Sequence, residues 1–339
     1  MNYLAVLLVF LTSFLLTGML RKYALSRSLI DVPNARSSHS VPTPRGGGVA
    51  VVVTVMLSLI SLYLVGEIDF PAFISLFVSG GIVAVIGFMD DHGHIAARWR
   101  LLGHFIAAAI VLWWTGGLPV IAFFGWQVDL GYVGYVGALL YLVWMLNLYN
   151  FMDGIDGLAG VEAISVCLGM CVIYLIAGHA TLIPVNVLFA CATAGFLCWN
   201  FPSAKIFMGD AGSGFIGILL GGLSLQAAWA SADLLWCWLI LLGVFVVDAT
   251  VTLLRRLLRG ALVYEAHRSH AYQYASRHFG RHVPVTVTVC LINVFWLLPL
   301  AACVAYSLVS GATALIIAYL PLIALVVRFR AGEAEAKAE

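Results

Sequence analysis

The chain has 339 residues, of which 63% are apolar and 10% charged, against roughly 45–50% and about 25% in an ordinary soluble domain. That composition excludes a water-soluble globular protein. The apolar residues fall in long runs almost without charge, and a formal charge of +1 says little until charges are sorted by the side of a membrane; one all-α polytopic membrane domain over residues 1–330 is therefore expected.

In chain order the apolar runs lie near residues 3–20, 48–65, 72–89, 101–115, 133–149, 160–178, 181–199, 214–231, 233–253, 283–306 and 312–327. They make eleven transmembrane helices, most near the ~20 residues a bilayer requires. All seventeen Lys and Arg residues occupy alternate connections. Arg21, Lys22, Arg27, Arg36 and Arg45 lie in the first, Arg98 and Arg100 in the third and Lys205 in the seventh. Arg255, Arg256, Arg259, Arg268, Arg277 and Arg281 lie in the ninth, and Arg328, Arg330 and Lys337 follow the last run. By the positive-inside bias these connections are cytoplasmic, with the N-terminus periplasmic and the C-terminus cytoplasmic. The first run has its charges after it and no basic segment before it, so it reads as a retained anchor instead of a secretory signal.

Of the outward loops only residues 116–131 have room for structure, and Trp126 and Tyr132 suit a membrane interface. Residues 331–339 read as a flexible, low-complexity tail without a function. The seven cysteines sit inside the apolar runs as apolar fillers, with no disulfide framework.

Polar chemistry is confined to the cytoplasmic edge. DVPNARSSHSVPTPRGGG, Asp31 to Gly48, ends in Gly46, Gly47 and Gly48, whose amides could cradle a phosphate or whose lack of side chains could let helices pack; both readings stand. GFMDDHGHIAARWRLLGH follows, with Asp90 and Asp91 ending one run and Arg98 and Arg100 opening the next. Adjacent carboxylates at a membrane boundary repel, so they call for a cation, a raised pKa or plain exposure to water. In NLYNFMDGIDGLAG, Asn147, Asn150 and Asp153 are three apart and share one side of a helix, with Asp156 continuing the spacing. Oxygen donors of this kind suit Mg²⁺, which takes one or two carboxylates plus water and substrate phosphates.

NFPSAKIFMGDAGSG sets Asp210 among glycines, where a carboxylate could approach a metal and a diphosphate, and Phe207 offers a face for a flat base. YEAHRSHAYQ places His267 and His270 three apart around Arg268. No further ligand makes this a zinc pair, and the basic surroundings favour an anion. His104, His179, His278 and His282 have no such company and read as packing or surface residues. Carboxylates, amides, histidines and arginines on one membrane face are what phosphoryl transfer needs, and no Walker loop provides it otherwise.

At these motifs, from Asp31 to Gln273, the sequence resembles the polyprenyl-phosphate N-acetylhexosamine-1-phosphate transferases, most of all the bacterial O-antigen initiating branch. The resemblance implies a multi-pass enzyme of the bacterial inner membrane whose active site faces the cytoplasm. It would transfer an N-acetylhexosamine 1-phosphate from a UDP-sugar to undecaprenyl phosphate with Mg²⁺ or Mn²⁺, release UMP and start a lipid-linked glycan. Family members often look dimeric, and no nucleic-acid partner is expected. Matching residue by residue, Asp90 and Asp91 correspond to the paired aspartates proposed to activate the lipid phosphate, and Asn150 and Asp210 to metal-associated positions. Asp153 and Asp156 form the next acidic pair, with Asp156 and Phe207 near the uracil and Asn200 in the nucleotide pocket. His267 and His270 fall in a histidine motif with catalytic roles, while Arg100, Arg268, Lys205 and Arg45 supply charge for substrate phosphates. The resemblance leaves open direct attack on the β-phosphorus or a route through an aspartyl-phosphate. The rival from another class is a secondary transporter with a carboxylate path, for which Asp248 is the residue that lies within a run; transporters place their sites near the bilayer midplane, whereas the acidic motifs lie at helix ends.

Overall fold

The computed structural model describes residues 3–33, 41–93, 95–261 and 267–333; Arg36 with the rest of segment 34–40, His94, Tyr264 with the rest of segment 262–266, and Lys337 lie outside them. Each apolar run is helical: α1 Tyr3–Ser26, α2 Gly48–Leu64, α3 Phe70–His92, α4 Ala97–Thr115, α5 Gly131–Met152, α6 Leu158–Ile176, α7 Ile183–Asn200 and α8 Asp210–Ala230. Then come α9 Ala232–Leu241, α10 Gly243–Leu258, α11 Ala271–Phe279, α12 Val283–Ile292, α13 Leu298–Ala305 and α14 Gly311–Arg328. A π-helical turn, Asn293–Leu297, joins α12 to α13. Among the described residues eight helices are long and apolar enough to cross a membrane, with α12 to α13 counted as one. α2, at 17 residues, is shorter, and α4 opens on Arg98 and Arg100.

The run at residues 233–253, expected as one span, is instead two helices bent by 70°. The helix lapses at Leu242, and the Gly243 backbone comes so close to α14 that a Cβ there would lie 3.0 Å from the Tyr319 ring. The bend redirects α10 so that Asp248, which the sequence placed inside a continuous span, faces the N-terminus of α11. Nor is Asp248 alone as a carboxylate within an apolar run: Glu162 of α6 is fully buried and accepts from Asn293 Nδ2 at 2.7 Å.

The short elements follow the turn residues. β1 Ile30–Asp31 pairs antiparallel with β2 Thr43–Pro44, and the outward 116–131 connection carries the hairpin of β3 Ile121–Phe123 and β4 Trp126–Val128. All seven cysteines are free, but Cys198 is exposed and only Cys167, Cys171 and Cys237 are fully buried. The start of the tail docks instead of fraying: Ala331 is buried and the Gly332 amide donates to the Ser269 carbonyl at 2.7 Å.

α8 is the axis of the bundle and is buried along almost its whole length. In a bilayer, helices gain little from hydrophobicity between themselves, so close approach through small residues does the packing. Gly212 meets Gly48 of α2, Gly217 meets the Met145 carbonyl of α5, and Gly87 of α3 abuts the Asp210–Ala211 backbone, where a Cβ would lie 2.5 Å from the Ala211 nitrogen. The last contact locks the end of α3 to the start of α8. Gly87→Ala is expected to cost about 1–3 kcal/mol, because the clash is with backbone that cannot rotate away. Thermal unfolding in detergent checks this, and wild-type melting would show the contact to be looser than described.

Candidate active site

The helix ends gather the acidic motifs. Asp90 and Asp91 leave the last turn of α3 about 100° apart and therefore face different neighbours. Asp91 is buried and turned to α8: its Oδ1 accepts from the Asp210 amide at 3.2 Å and its Oδ2 from the Ala211 amide at 3.3 Å. The first amides of a helix lack intrahelical partners and carry partial positive charge. Gly209, at the N-cap of α8, has no side chain to satisfy them, so Asp91 does so from another helix. Gly209 must be glycine twice over, since its φ is +79° and a Cβ would meet Asp91 Oδ2 at 2.7 Å.

Asp90 accepts from the Ile95 amide at 2.9 Å and from Arg100 Nη1. The same nitrogen lies 3.5 Å from Asp210 Oδ2, so Arg100 joins α3 and α8 through their carboxylates. From α5, Asn150 Nδ2 donates to Asp210 Oδ1 and to Ser213 Oγ, both at 2.9 Å. Arg45 reaches in from the β2 side and donates to the Asp91 carbonyl.

Asp153 follows the last helical residue of α5 and, among the described residues, its carboxylate has no hydrogen bond or ion pair. It keeps part of its surface, yet the helix ends enclose it: desolvation first, then the Asp210 and Asp91 carboxylates, push its carboxyl well above the ordinary range. The helical row expected for Asn147, Asn150, Asp153 and Asp156 holds only in part. α5 stops at Met152, Asn147 turns back to the Val143 carbonyl at 2.7 Å, and Asp156 swings away in the DGIDG turn.

There Asp156 Oδ1 lies 3.1 Å from His282 Nδ1, Oδ2 accepts from the Ala204 amide at 3.1 Å, and its carbonyl accepts from Thr286 Oγ1 at 2.9 Å. His282, expected to be a packing or surface residue, is thus part of the site; adjacency in sequence could not reveal a partner 126 residues away. Asp156 and His282 line a cavity of about 440 Å³ with Phe207, Thr43, Ser203, Arg277 and Arg281 among its walls. Asn200 stands behind this wall, buried, its Oδ1 on the Gly157 amide at 2.8 Å and its Nδ2 on the Ile206 carbonyl at 3.0 Å. Lys205 is exposed and lies over the Trp199 ring, 5.8 Å from its centroid, outside the cavity wall.

The glycine run is resolved in favour of packing. The amides of Gly47 and Gly48 donate to the carbonyls of Phe207 and Met208, both at 2.9 Å, and so tie the first connection to the Asp210 loop; neither amide is left for a phosphate.

His270 is buried, N-caps α11 and sets Nδ1 3.3 Å from Asp248 Oδ1. Asp248 also accepts from the amides of Ala271 at 2.9 Å and Tyr272 at 3.0 Å, repeating on α11 what Asp91 does on α8. Sequence reasoning set Asp248 aside with the transporter reading, and the signal for its real place is the bend that brings α10 under α11. His267 stacks on His270 with ring centroids 4.9 Å apart and contacts Ser269 Oγ at 3.0 Å. Burial, with His270 and Arg256 adding to it, lowers its imidazole to about 3, so it is neutral at physiological pH and meets any ligand as a hydrogen-bonding ring, not a cation. Arg268 is half-buried, and its carbonyl accepts from Arg277 Nη2 at 3.2 Å.

Membrane-length helices carrying a convergent carboxylate and guanidinium cluster at one end make this an integral membrane enzyme, and comparison with known proteins defines its class as a glycosyl-1-phosphate transferase. Residues 73–228, which include Asp90, Asp91, Asn150, Asp153 and Asp210, match the model of glycosyl transferase family 4. A probable undecaprenyl-phosphate N-acetylglucosaminyl 1-phosphate transferase of Bacillus subtilis is 27% identical over 77% of this chain and 74% of its own length. An undecaprenyl-phosphate alpha-N-acetylglucosaminyl 1-phosphate transferase of Thermotoga maritima is 27% identical over 85% of this chain and 87% of its own. A decaprenyl-phosphate N-acetylglucosaminephosphotransferase of Mycolicibacterium smegmatis is 28% identical, over 64% of this chain and 57% of that protein. By these matches the chain is similar to the polyprenyl-phosphate hexosamine-1-phosphate transferases.

Proposed function

We propose that the chain transfers an N-acetylhexosamine 1-phosphate from a UDP-sugar to undecaprenyl phosphate at the cytoplasmic face of the bacterial inner membrane, releasing UMP and starting a lipid-linked glycan of the O-antigen kind. The observation that carries this reading is the meeting of Asp90, Asp91, Asp153 and Asp210 at the ends of α3, α5 and α8, beside Arg100. The Lys and Arg distribution, with eleven helical runs, supports the cytoplasmic side for this end.

In the proposed step an oxygen of the lipid phosphate attacks the β-phosphorus of the UDP-sugar. The bond from that phosphorus to the UMP oxygen breaks, and UMP leaves with the electron pair. A phosphate monoester has a second pKa of ~6, and entering a site rich in carboxylates shifts it towards its protonated form. Asp153, in place of Asp90 or Asp91 whose carboxylates are held by Arg100 and the α8 amides, is matched to take that proton, because burial and the neighbouring carboxylates raise its own proton affinity. Arg100 bridges Asp90 and Asp210 while offering its remaining donors to phosphate oxygens. Asp91 fixes the first turn of α8, and with it Asp210.

The donor set fits a divalent ion shared with substrate. Among the described residues no group of three or more His, Cys, Asp and Glu forms a cage, while Mg²⁺ characteristically takes one or two carboxylates and completes its shell with water and phosphate oxygens. Asp210 and Asn150 would hold it, with Mn²⁺ as the alternative. When bound, the ion neutralises diphosphate oxygens and the charge that develops on UMP. The cavity beside Asp156 and Phe207 is the place for the nucleoside end of the donor, with Phe207 as the face for the base.

The test is purified protein with undecaprenyl phosphate, Mg²⁺ and a panel of UDP-N-acetylhexosamines that includes 6-deoxy sugars, following UMP release and lipid-linked product. Lipid-dependent UMP release with at least one donor is expected. Folded protein without turnover on any donor would overturn the reading.

A further inference from the structure

His282 occupies the junction between the Gly280 turn and α12, and its partner lies in the DGIDG turn between α5 and α6. That turn contains Gly154 and Gly157, the latter at φ +74°, so its backbone has little intrinsic preference for one shape. Its definition comes from outside. His282, the N-cap of α12, and Thr286 are four apart and present the same face. His282 Nδ1 accepts from the Asp156 amide at 3.3 Å and lies 3.1 Å from an oxygen of the same residue's carboxylate, and Thr286 Oγ1 donates to the Asp156 carbonyl at 2.9 Å. The Ala204 amide takes the other carboxylate oxygen at 3.1 Å. Asp156 is therefore held through its amide, its carbonyl and its carboxylate, by His282 and Thr286 on one side and Ala204 on the other, on the wall of a cavity of about 440 Å³. The His282 and Asp156 side chains keep 15% exposure each, enough to touch a ligand's neighbourhood but too little to turn freely.

We infer that His282 is a positioning residue: it sets the Asp156 carboxylate in the orientation that receives the nucleoside end of the donor. The inference rests on the function proposed above. It assigns to α12, which supplies none of the acidic motifs, a part in donor recognition separate from the carboxylate cluster that serves the transferring phosphate. It also explains why the segment after the histidine motif folds back as α11 and a tight turn, since that path delivers His282 to the DGIDG loop.

The nitrogen that makes the contact supplies the test. An asparagine amide group sits near the place of His Nδ1, with an oxygen that can accept from the Asp156 amide, whereas glutamine carries its amide about where Nε2 would be. His282→Ala and His282→Gln are expected to raise the KM for the UDP-sugar about tenfold, the size of one lost hydrogen bond. The KM for undecaprenyl phosphate and kcat should stay within about twofold, as for an interaction made equally in ground and transition states. His282→Asn should restore the donor KM to within about threefold of wild type. Unchanged donor KM in the alanine and glutamine variants would overturn the inference and leave the reaction standing. So would equal losses in all three variants with a common drop in melting temperature, which mark a packing role. Absence of lipid-dependent UMP release from the wild type would overturn the reaction and the inference together.

Discussion

Replacing Asp153 by asparagine is expected to cut kcat by about a thousandfold and, at neutral pH, to raise the melting temperature by about 2–4 °C. Both effects have one cause. The carboxyl is enclosed, has no hydrogen-bond partner among the described residues and faces the Asp210 and Asp91 carboxylates, so the fold favours its protonated form. Its folded pKa lies above the ordinary 3.8, and the sign follows: stability associated with the neutral form is complete below about 3.8 and is lost as the pH rises through the raised folded value. Enclosing a carboxyl that the unfolded chain would ionise is a strain that asparagine removes. In acid buffer, where the carboxyl is already neutral, the variant should melt with the wild type. The melting comparison belongs in chelator-containing buffer, since a bound cation would relieve the same repulsion. Activity runs the other way, rising with pH as Asp153 becomes able to accept a proton. A variant that is no more stable at neutral pH, or that retains a tenth of the turnover, would remove Asp153 from the proton-accepting role. Sites that trade stability for activity in this manner are common, because the group the chemistry needs is one the fold would rather not bury.

The helices and acidic motifs were legible in sequence because they are local. Apolar runs marked every helix except the short polar α11, since a bilayer leaves no other way to satisfy the backbone over such lengths. Asp90, Asp91, Asp153 and Asp210 stood out because a carboxylate at the edge of an apolar run is costly unless something uses it. What stayed hidden is made by packing. The break between α9 and α10 carries no proline, and Leu242 and Gly243 give only a weak local sign of it. Once the bend exists, Asp248 changes from a residue inside a span to the cap of α11. His282 meets Asp156 only because α11 and its turn return the chain to the DGIDG loop. Gly46 to Gly48, open to two readings in sequence, are decided by the same kind of contact. A glycine run before a helix has the composition of a phosphate cradle, but the amides of Gly47 and Gly48 are bonded to Phe207 and Met208 carbonyls, a fact of tertiary contact.

The Asp210→Ala variant should separate the cation from the rest of the site. The Asp210 side chain is 36% exposed, more open than those of Asp90 and Asp156, and it is linked at once to Arg100 and Asn150. Its amide, unlike its side chain, is what Asp91 holds, so removing the carboxylate leaves the α3 to α8 junction bonded. The fold should survive, and the loss should be specific. If Asp210 is a ligand to Mg²⁺ or Mn²⁺, the alanine variant should need at least about tenfold more divalent ion for half-maximal activity, and Mn²⁺ binding followed by paramagnetic resonance should weaken in parallel. Asn150→Ala should shift the same two readouts in the same direction, but less, because one neutral oxygen is lost instead of a charge. Arg100→Ala provides the contrast. It removes a positive charge beside Asp210, so it should leave Mn²⁺ binding intact or tighten it while turnover falls, since the guanidinium serves the phosphates and competes with the ion for the same carboxylate. Mn²⁺ binding that is unchanged in Asp210→Ala would exclude it as a ligand and move the ion towards Asp90 or Asp153.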